Sequence, residues 1–220
     1  MRVGELSRRT GVPVPTIKYY LREGLLPAGE LTCPNQAQYD EAHVRRLRLL
    51  RALLEVGGLS IATARRLLTA LDAPGLSLPA TLDLAQHAVA PRPRPGERRT
   101  EDSAAGRAAA EAAAAWVAER GWLVHPGGAA CVALAQVFQA LRELGQEDLL
   151  GILDEYAAAA ERLAAAELAL LGRRADPGGR LEGAVLGTVL GDTLLASMRR
   201  LAQEDASRRV FVEAPAETET

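Results

Sequence analysis

The chain has 220 residues, of which 48% are hydrophobic and 4% aromatic, enough to bury a core. Alanine and leucine outnumber the β-branched residues, which predicts much more helix than strand. Because no apolar run is long enough to cross a bilayer and no signal peptide is recognisable, we expect a cytoplasmic protein with no membrane partner. The two cysteines lie far apart in sequence, which excludes a disulfide framework.

The net charge of −2 hides an uneven distribution along the chain. Residues 1–73 contain eleven Lys or Arg and seven Asp or Glu, whereas residues 74–220 contain fifteen and twenty-one. A positive N-terminal part favours contact with nucleic acid, and a negative C-terminal part disfavours it. The distribution therefore indicates a basic head joined to an acidic body.

Short helices and one hairpin are predicted for residues 1–71. Gly11 is placed to end the first helix, and Ser60 is placed to cap the last one. Prolines and glycines divide Leu25–Tyr39 into two extended pieces, which predicts a wing-like hairpin. The helices of this head are predicted at Val3–Thr10, Pro15–Glu23, Asp40–Val56 and Ser60–Leu71.

A proline-rich segment separates this head from the rest of the chain. Residues 91–96 read Pro-Arg-Pro-Arg-Pro-Gly, which cannot be helical and predicts an extended linker after a short helix around Pro79–Val89. The remaining sequence is mostly helical in pattern, and the acidic tail Glu213–Thr220 is expected to be disordered. Helices of this body are predicted at 103–121, 127–145, 147–172 and 178–206.

The predicted helix Pro15–Glu23 carries side chains suited to the major groove of duplex DNA. Lys18 has the reach and the charge to contact a guanine edge or a phosphate, and Arg22 lies one helical turn further on. Thr16 and Tyr19 offer hydroxyl groups to phosphates. The other face of the helix is expected to pack against the first helix through Ile17, Tyr20 and Leu21.

One long motif occupies the N-terminal third of the chain. It comprises Arg2-Val3-Gly4-Glu5-Leu6-Ser7, Thr10-Gly11-Val12, Thr16-Ile17-Lys18-Tyr19-Tyr20, Arg22-Glu23-Gly24-Leu25-Leu26-Pro27, Tyr39, Val44-Arg45-Arg46-Leu47 and Gly58-Leu59-Ser60-Ile61. This motif resembles the N-terminal domain of the MerR family of bacterial transcription regulators, over about residues 1–71. The resemblance implies a winged helix-turn-helix in which Lys18 and Tyr19 contact bases and phosphates. It also implies double-stranded promoter DNA as a partner and RNA polymerase as an indirect one, because family members often distort an over-long promoter spacer.

The predicted wing and recognition helix depart from the family pattern. Relatives usually have Arg-Tyr-Tyr-Glu where this chain has Lys18-Tyr19-Tyr20-Leu21. The usual wing sequence Gly-Tyr-Arg-x-Tyr is replaced by 35–39, so Ala37 stands where relatives have a backbone-contacting arginine. We expect weaker salt dependence than in a relative with the complete wing, because the remaining contacts carry less charge. The candidate DNA contacts of the wing are Asn35, Gln36, Gln38 and Tyr39.

Several arginines recur on the third predicted helix of the head. Among them Arg46 is the preferred DNA contact, because the family pattern has a basic residue near this position. The alternative for these arginines is a solvated helix face, in which Glu41 pairs with Arg45 four residues further on.

These features predict an all-α fold with a small β wing, in which an N-terminal winged helix-turn-helix is followed by a helical C-terminal effector or dimerisation domain. The predicted function is DNA-binding regulation of transcription. The predicted domains are the DNA-binding head at 1–73, a short helix and Pro/Arg-rich linker at 74–103, the helical body at 104–206 and the acidic tail at 207–220.

A homodimer is expected, but its interface is not the usual one. The resemblance implies a long dimerisation helix after the head, and the prolines at 79 and 91–95 interrupt it. Gly183, Gly187 and Gly191 fall on one face of the last predicted helix. Each mid-helix glycine costs about 1 kcal/mol relative to alanine, so a second helix is expected to approach there closely. That helix belongs either to the same chain or to a partner chain.

The predicted body contains most of the aromatic residues found outside the head. Between packed helices they could line a pocket for a small apolar effector, and plain core packing is the alternative. An architectural or adaptor protein without any ligand is a second alternative. The candidate pocket residues are Trp116, Trp122, Phe138 and Tyr156.

Catalytic, metal and cofactor sites are not expected. Cys33 and Cys131 have no Cys or His at ligand spacing nearby, and the histidines are scattered along the chain. The sequence also lacks a recognisable nucleophile with an adjacent base and a phosphate-binding glycine loop. A catalytic body is the weakest of the alternatives.

Overall fold

The computed structural model describes residues 1–33, 36–90, 103–125 and 127–211. Most of these residues are helical, and the described strands form one two-stranded antiparallel sheet. The predicted fold class, all-α with a small β wing, is confirmed. The elements are α1 (Val3–Thr10), α2 (Val14–Arg22), β1 (Glu30–Cys33), β2 (Gln36–Gln38), α3 (Glu41–Arg51), α4 (Ile61–Asp72), α5 (Leu78–Val89), α6 (Ala104–Glu119), α7 (Ala129–Glu143), α8 (Leu153–Gly172) and α9 (Pro177–Phe211).

Two of the predicted helices contain a segment of a different helical type. The predicted helix over 40–56 is α3 followed by a π-helical turn, Ala52–Val56, which ends at Gly57. The predicted helix over 147–172 begins as a 3₁₀ helix, Glu147–Ile152, before α8. Apolar periodicity predicts that a segment is helical, but it does not distinguish these hydrogen-bonding patterns.

The described residues form two compact units. The first unit comprises Met1–Ala88 together with the described residues from Leu181 onward, and the second comprises the described residues of Val89–Arg180. This division differs from the predicted domains, because it groups most of α9 with the head rather than with the body. The predicted linker at 91–100 and the predicted tail at 213–220 lie outside the described residues.

The turn between α1 and α2 is fixed by short-range hydrogen bonds. Gly11 has a φ of 70°, a left-handed conformation that favours glycine, and its N–H donates to the Ser7 carbonyl at 2.8 Å. The buried Thr10 hydroxyl donates to the Leu6 carbonyl at 2.7 Å and accepts from the Val12 N–H at 3.3 Å. The helix predicted over Val3–Thr10 is therefore confirmed at both ends.

The core of the first unit is aliphatic and lies between the short helices of the head. Helix α4 begins at the predicted cap, where the Ser60 hydroxyl accepts from the Thr63 N–H at 3.2 Å. Ion pairs connect the surrounding helices: Arg9 binds both carboxylate oxygens of Glu41. Glu41 is therefore paired with a residue of α1, whereas the solvated-face alternative pairs it with Arg45 of its own helix. The largest fully buried side chains of the head are Leu6, Ile17, Leu25, Leu26, Val44, Leu47, Leu50, Leu53, Leu67 and Leu68.

Helix α9 packs against the head within the first unit. Val189 is buried and lies beside Gly57 of the head, and Ala184 and Val185 of the same helix are buried as well. A Cβ atom added at Gly57 would lie only 2.2 Å from Val189 Cγ1, so the absence of a side chain at Gly57 lets the two segments approach closely. Burying these aliphatic side chains removes apolar surface from water, which stabilises the packing of α9 on the π-helical turn.

Helix α9 is also the longest helix of the described part. Within Pro177–Val210 it contains an eighteen-residue window with a mean hydropathy of 1.2, which satisfies a length-and-composition test for a membrane span. Core helices of water-soluble proteins satisfy the same test, and Val185 and Val189 are buried against protein. The finding qualifies the expectation that no segment of the chain is long and apolar enough to span a bilayer.

The second unit is built on the packing of α6 against α7. Ala109, Ala113 and Ala135 are buried where the two helices meet, and Phe138 fills the space beside them. Small alanine side chains allow the helix axes to approach, and the Phe138 ring is the largest buried side chain of this cluster. Helix α6 begins at Ser103, whose hydroxyl accepts from the Gly106 N–H at 2.9 Å.

Candidate nucleic-acid interface

Helix α2 separates apolar from polar side chains as the sequence predicts. Ile17 and Tyr20 are buried against the head, whereas Lys18 and Arg22 are exposed. Thr16 and Tyr19 are half-buried, so part of each side chain remains accessible on the flanks of the exposed face. The helix therefore presents two cations and two hydroxyl-bearing side chains, which matches the chemistry of groove and phosphate recognition.

The buried side of α2 is held rigidly by aromatic and ionic contacts. The rings of Tyr19 and Tyr20 lie 6.0 Å apart at 51°. Burial raises the pKa of the Tyr20 phenol, with a smaller contribution from the Glu55 carboxylate, so the phenol stays neutral at physiological pH. At the end of the helix, Glu23 forms an ion pair with Arg65 of α4. These contacts fix the orientation of the exposed face.

The described part of the wing is the antiparallel pair β1 and β2. Glu30 pairs with Gln38 and Leu31 pairs with Ala37, and the register shifts before Cys33. The side chains of Gln36 and Gln38 are exposed, as a phosphate contact requires, and Ala37 is half-buried. The candidate contact Asn35 lies outside the described residues.

The start of the chain runs beside the end of the wing. The Met1 nitrogen donates to the Tyr39 carbonyl at 2.7 Å, and the Tyr39 N–H donates to the Met1 carbonyl at 2.8 Å. Next to this pair, Arg2 Nη2 donates to Gln36 Oε1 at 3.1 Å. Sequence reasoning gave Arg2 no role, because its position at the wing depends on main-chain pairing between residues far apart in sequence.

Two predicted DNA contacts have packing partners within the protein. The Tyr39 residue is only 8% exposed, and its ring meets His43 edge to face at 5.1 Å between centroids. The Arg46 side chain is 13% exposed; its Nε donates to the Leu25 carbonyl at 3.0 Å, and its guanidinium binds both carboxylate oxygens of Asp72. Both side chains thus have partners within the protein, and their contact with DNA stays a prediction.

The beginning of α3 is capped in a way that affects its electrostatics. Asp40 Oδ1 accepts from the Ala42 and His43 N–H groups at 2.9 and 3.2 Å. A hydrogen bond from the His43 side chain holds the pKa of the Asp40 carboxyl below its ordinary value. The Arg9 guanidinium likewise lowers the pKa of Glu41. Both carboxylates therefore stay charged at neutral pH at the N-terminal end of α3, where negative charge is favourable.

The candidate pocket residues of the second unit are brought together only in part. Trp116 and Trp122 meet edge to face at 5.6 Å, and Arg120 lies 4.7 Å from the Trp116 ring centre. Trp122 Nε1 donates to Glu161 Oε1 at 2.8 Å. By contrast, Phe138 belongs to the core between α6 and α7, and Tyr156 is exposed on α8.

The three glycines of the predicted dimer interface differ in burial. Gly183 is buried, Gly191 is half-buried and Gly187 is exposed. A Cβ added at Gly187 would have no neighbour within 4 Å outside its own helix.

In the described ranges, no three His, Cys, Asp or Glu side chains are grouped so that they could hold a metal ion.

Sequence comparisons place the N-terminal domain among known regulators. The sequence profile of the MerR HTH family of regulatory proteins matches residues 1–71. The nodulation protein NolA of Bradyrhizobium elkanii is 45% identical over 56 residues, which cover 26% of each chain. The mercuric resistance operon regulatory protein of Bacillus cereus is 39% identical over 56 residues, covering 26% of this chain and 42% of that protein. The chain thus spans about a quarter of the length of NolA.

One solved structure is similar over nearly the whole chain. It is the crystal structure of SCO5550, a proposed transcriptional regulator from Streptomyces coelicolor A3(2), with 34% sequence identity and a TM-score of 0.67. The match covers 96% of this chain and 98% of that one, so it includes the helices that follow the head. With its N-terminal helix-turn-helix and wing, the chain belongs to the MerR HTH family of regulatory proteins.

Proposed function

We propose that this protein is a cytoplasmic transcription regulator that binds promoter DNA through the exposed face of α2. The observation that supports the proposal most strongly is the separation of charged from apolar side chains on this helix. Lys18 and Arg22 are exposed, and Ile17 is fully buried. A helix held in this way can enter the major groove without disturbing the core that positions it. RNA polymerase would then be an indirect partner at the same promoter.

Selection of binding sites from a random duplex library tests this proposal. The purified full chain should enrich a defined sequence, and a dimer should enrich two half-sites related by a pseudo-two-fold axis. Binding should weaken with rising salt, since it releases counterions from phosphates. Recovery of unenriched sequence after repeated rounds would contradict sequence-specific recognition.

We further propose that the regulator is a homodimer held by the exposed part of α9. Leu194, Met198 and Leu201 are more than half exposed and follow Gly187 and Gly191 at alternating spacings of four and three residues. This is the heptad spacing of two helices that pack along a common seam. Gly183 is buried in the single chain and is not part of the proposed seam.

A charge placed in this seam should dissociate the dimer. Met198 is 57% exposed in the single chain, so Met198→Glu should leave the fold of the chain intact while making the apolar seam costly to bury. Sedimentation at micromolar concentration should show a dimer for the wild type and a monomer for the variant. Gln203→Glu, exposed on the same helix but off the seam, should remain dimeric. A wild-type monomer would overturn the proposed dimer.

The proposed effector is a small apolar molecule bound in the second unit near Trp116 and Trp122. Their edge-to-face contact provides apolar surface beside the Arg120 guanidinium, which is itself paired with Asp154, so the site suits a largely apolar ligand. A ligand of this kind should raise the melting temperature of the wild type, and Trp122→Ala should abolish the rise. If no compound of a small-molecule library raises the melting temperature, the alternative of an adaptor protein without a ligand is favoured.

A further inference from the structure

The wing of the proposed DNA interface has an unfavourable charge of its own. Between Leu25 and Tyr39 the sequence contains one charged residue, and that residue is Glu30. Glu30 is exposed and pairs across the sheet with Gln38. A DNA backbone carries closely spaced negative charges, so a wing with only a carboxylate would be repelled. A cation that offsets this charge at the wing must therefore come from outside the wing sequence.

The fold brings such a cation to the wing from the start of the chain. The reciprocal main-chain pairing of Met1 with Tyr39, at 2.7 and 2.8 Å, places the first residues beside the end of β2. Arg2 is the residue before α1, and its Nη2 donates to Gln36 Oε1 at 3.1 Å. Arg2 is exposed, as is Gln36. The guanidinium thus lies at the outer surface of the wing.

The partner of Arg2 differs in kind from the partners of other arginines in the head. Arg9, Arg46 and Arg65 contact the carboxylates of Glu41, Asp72 and Glu23. Arg2 instead donates to a neutral amide oxygen, which orients the guanidinium without cancelling its charge. A guanidinium has five N–H donors, so donors remain to bind two phosphate oxygens in a fork geometry.

We propose that Arg2, oriented by Gln36, is the phosphate-contacting cation of the wing. Relatives usually have a positively charged arginine at the position of Ala37. Arg2 supplies that positive charge from a different part of the sequence. The inference rests on the proposed function, because it takes duplex DNA as the partner. It adds a residue that fixes the wing on the DNA backbone beside the base contacts of α2.

Titration of the selected operator duplex across a range of salt concentrations tests the inference. Arg2→Gln removes the charge but keeps a polar side chain of similar length. Gln is preferred to Ala because a small residue at position 2 would promote removal of Met1 from a recombinant chain, and Met1 holds the wing. The variant should bind about fivefold more weakly near physiological salt, and the slope of log K against log salt should fall by about 0.9, the value for one phosphate contact.

Two further variants make the result decisive. Arg2→Lys keeps the charge and should restore the wild-type salt slope, whereas Arg162→Gln, exposed on α8 in the second unit, should change neither affinity nor slope. Equal affinity loss in Arg2→Gln and Arg2→Lys with no change of slope would show a structural role and overturn the inference. Unchanged binding by Arg2→Gln while Lys18→Ala weakens binding would overturn it too, leaving the proposed function intact. Absence of specific binding by the wild type would instead overturn the proposed function.

Discussion

Replacement of Lys18 by alanine is expected to weaken binding to the selected operator by about 1–3 kcal/mol, roughly 5- to 150-fold. Lys18 is exposed on α2, one residue after the fully buried Ile17, so its truncation should leave the packing of the helix unchanged. The loss would therefore reflect a missing contact to a base edge or to a phosphate. A gel-shift titration with the operator duplex measures it.

The comparison with a nonspecific duplex separates the two kinds of contact. If Lys18 contacts a guanine edge, Lys18→Ala should lose more affinity for the operator than for an unrelated duplex. If it contacts a phosphate, both affinities should fall together. Unchanged affinity for both duplexes, with an unchanged melting temperature, would contradict the assignment of α2 as the recognition helix.

A buried charge on α9 is expected to have the largest effect on stability. Val189 is only 1% exposed and packs beside Gly57, where no side chain separates it from the π-helical turn. Val189→Asp would bury a carboxylate with no paired charge provided for it, which should cost about 3–5 kcal/mol of the free energy of unfolding. Urea denaturation followed by circular dichroism measures the loss.

A matched variant shows whether the loss comes from docking of α9 on the head. Gln203→Asp introduces the same side chain at an exposed position of the same helix and should change stability by less than about 0.5 kcal/mol. In limited proteolysis, Val189→Asp should release the C-terminal part of α9 before the head is cut. Equal stability of the two variants would show that α9 does not depend on this contact.

Features with local causes could be predicted from the sequence. Gly11 and Ser60 mark helix ends through main-chain geometry and side-chain capping, and both predictions are confirmed. The burial of Ile17 and Tyr20 follows from helical periodicity within a single element. The wing is predictable as well, because prolines and glycines exclude a helix between Leu25 and Tyr39.

Features that depend on distant pairing could not be predicted. Glu41 contacts Arg9, 32 residues away, rather than the nearby Arg45 that helical spacing favours. Arg46 contacts Asp72, 26 residues away, a partner that the spacing within one helix does not indicate. The packing of Val189 beside Gly57 cannot be predicted from either segment alone. The small size of glycine matters only where a second segment packs against it.

The candidate DNA-binding site likewise combines features that could be predicted from the sequence with features that could not. The exposed face of α2 is set by one helix and could be predicted, whereas the position of Arg2 depends on main-chain pairing between Met1 and Tyr39. Arg2 belongs to the family motif and Gln36 to the predicted wing, but the sequence gives no indication that the two side chains meet. The effector site is the least predictable part, because helical periodicity does not determine which of the body's aromatic side chains converge.

The rate at which Lys18 is acetylated shows whether the exposed face of α2 is covered by operator DNA. Lys18 is the only lysine in the chain and is exposed, so an amine-reactive reagent reports on a single side chain of the recognition helix. Mass spectrometry should show that saturating operator duplex strongly slows acetylation of Lys18, and that an unrelated duplex at the same concentration slows it much less. An equal rate of Lys18 acetylation with and without operator would contradict recognition of DNA by α2.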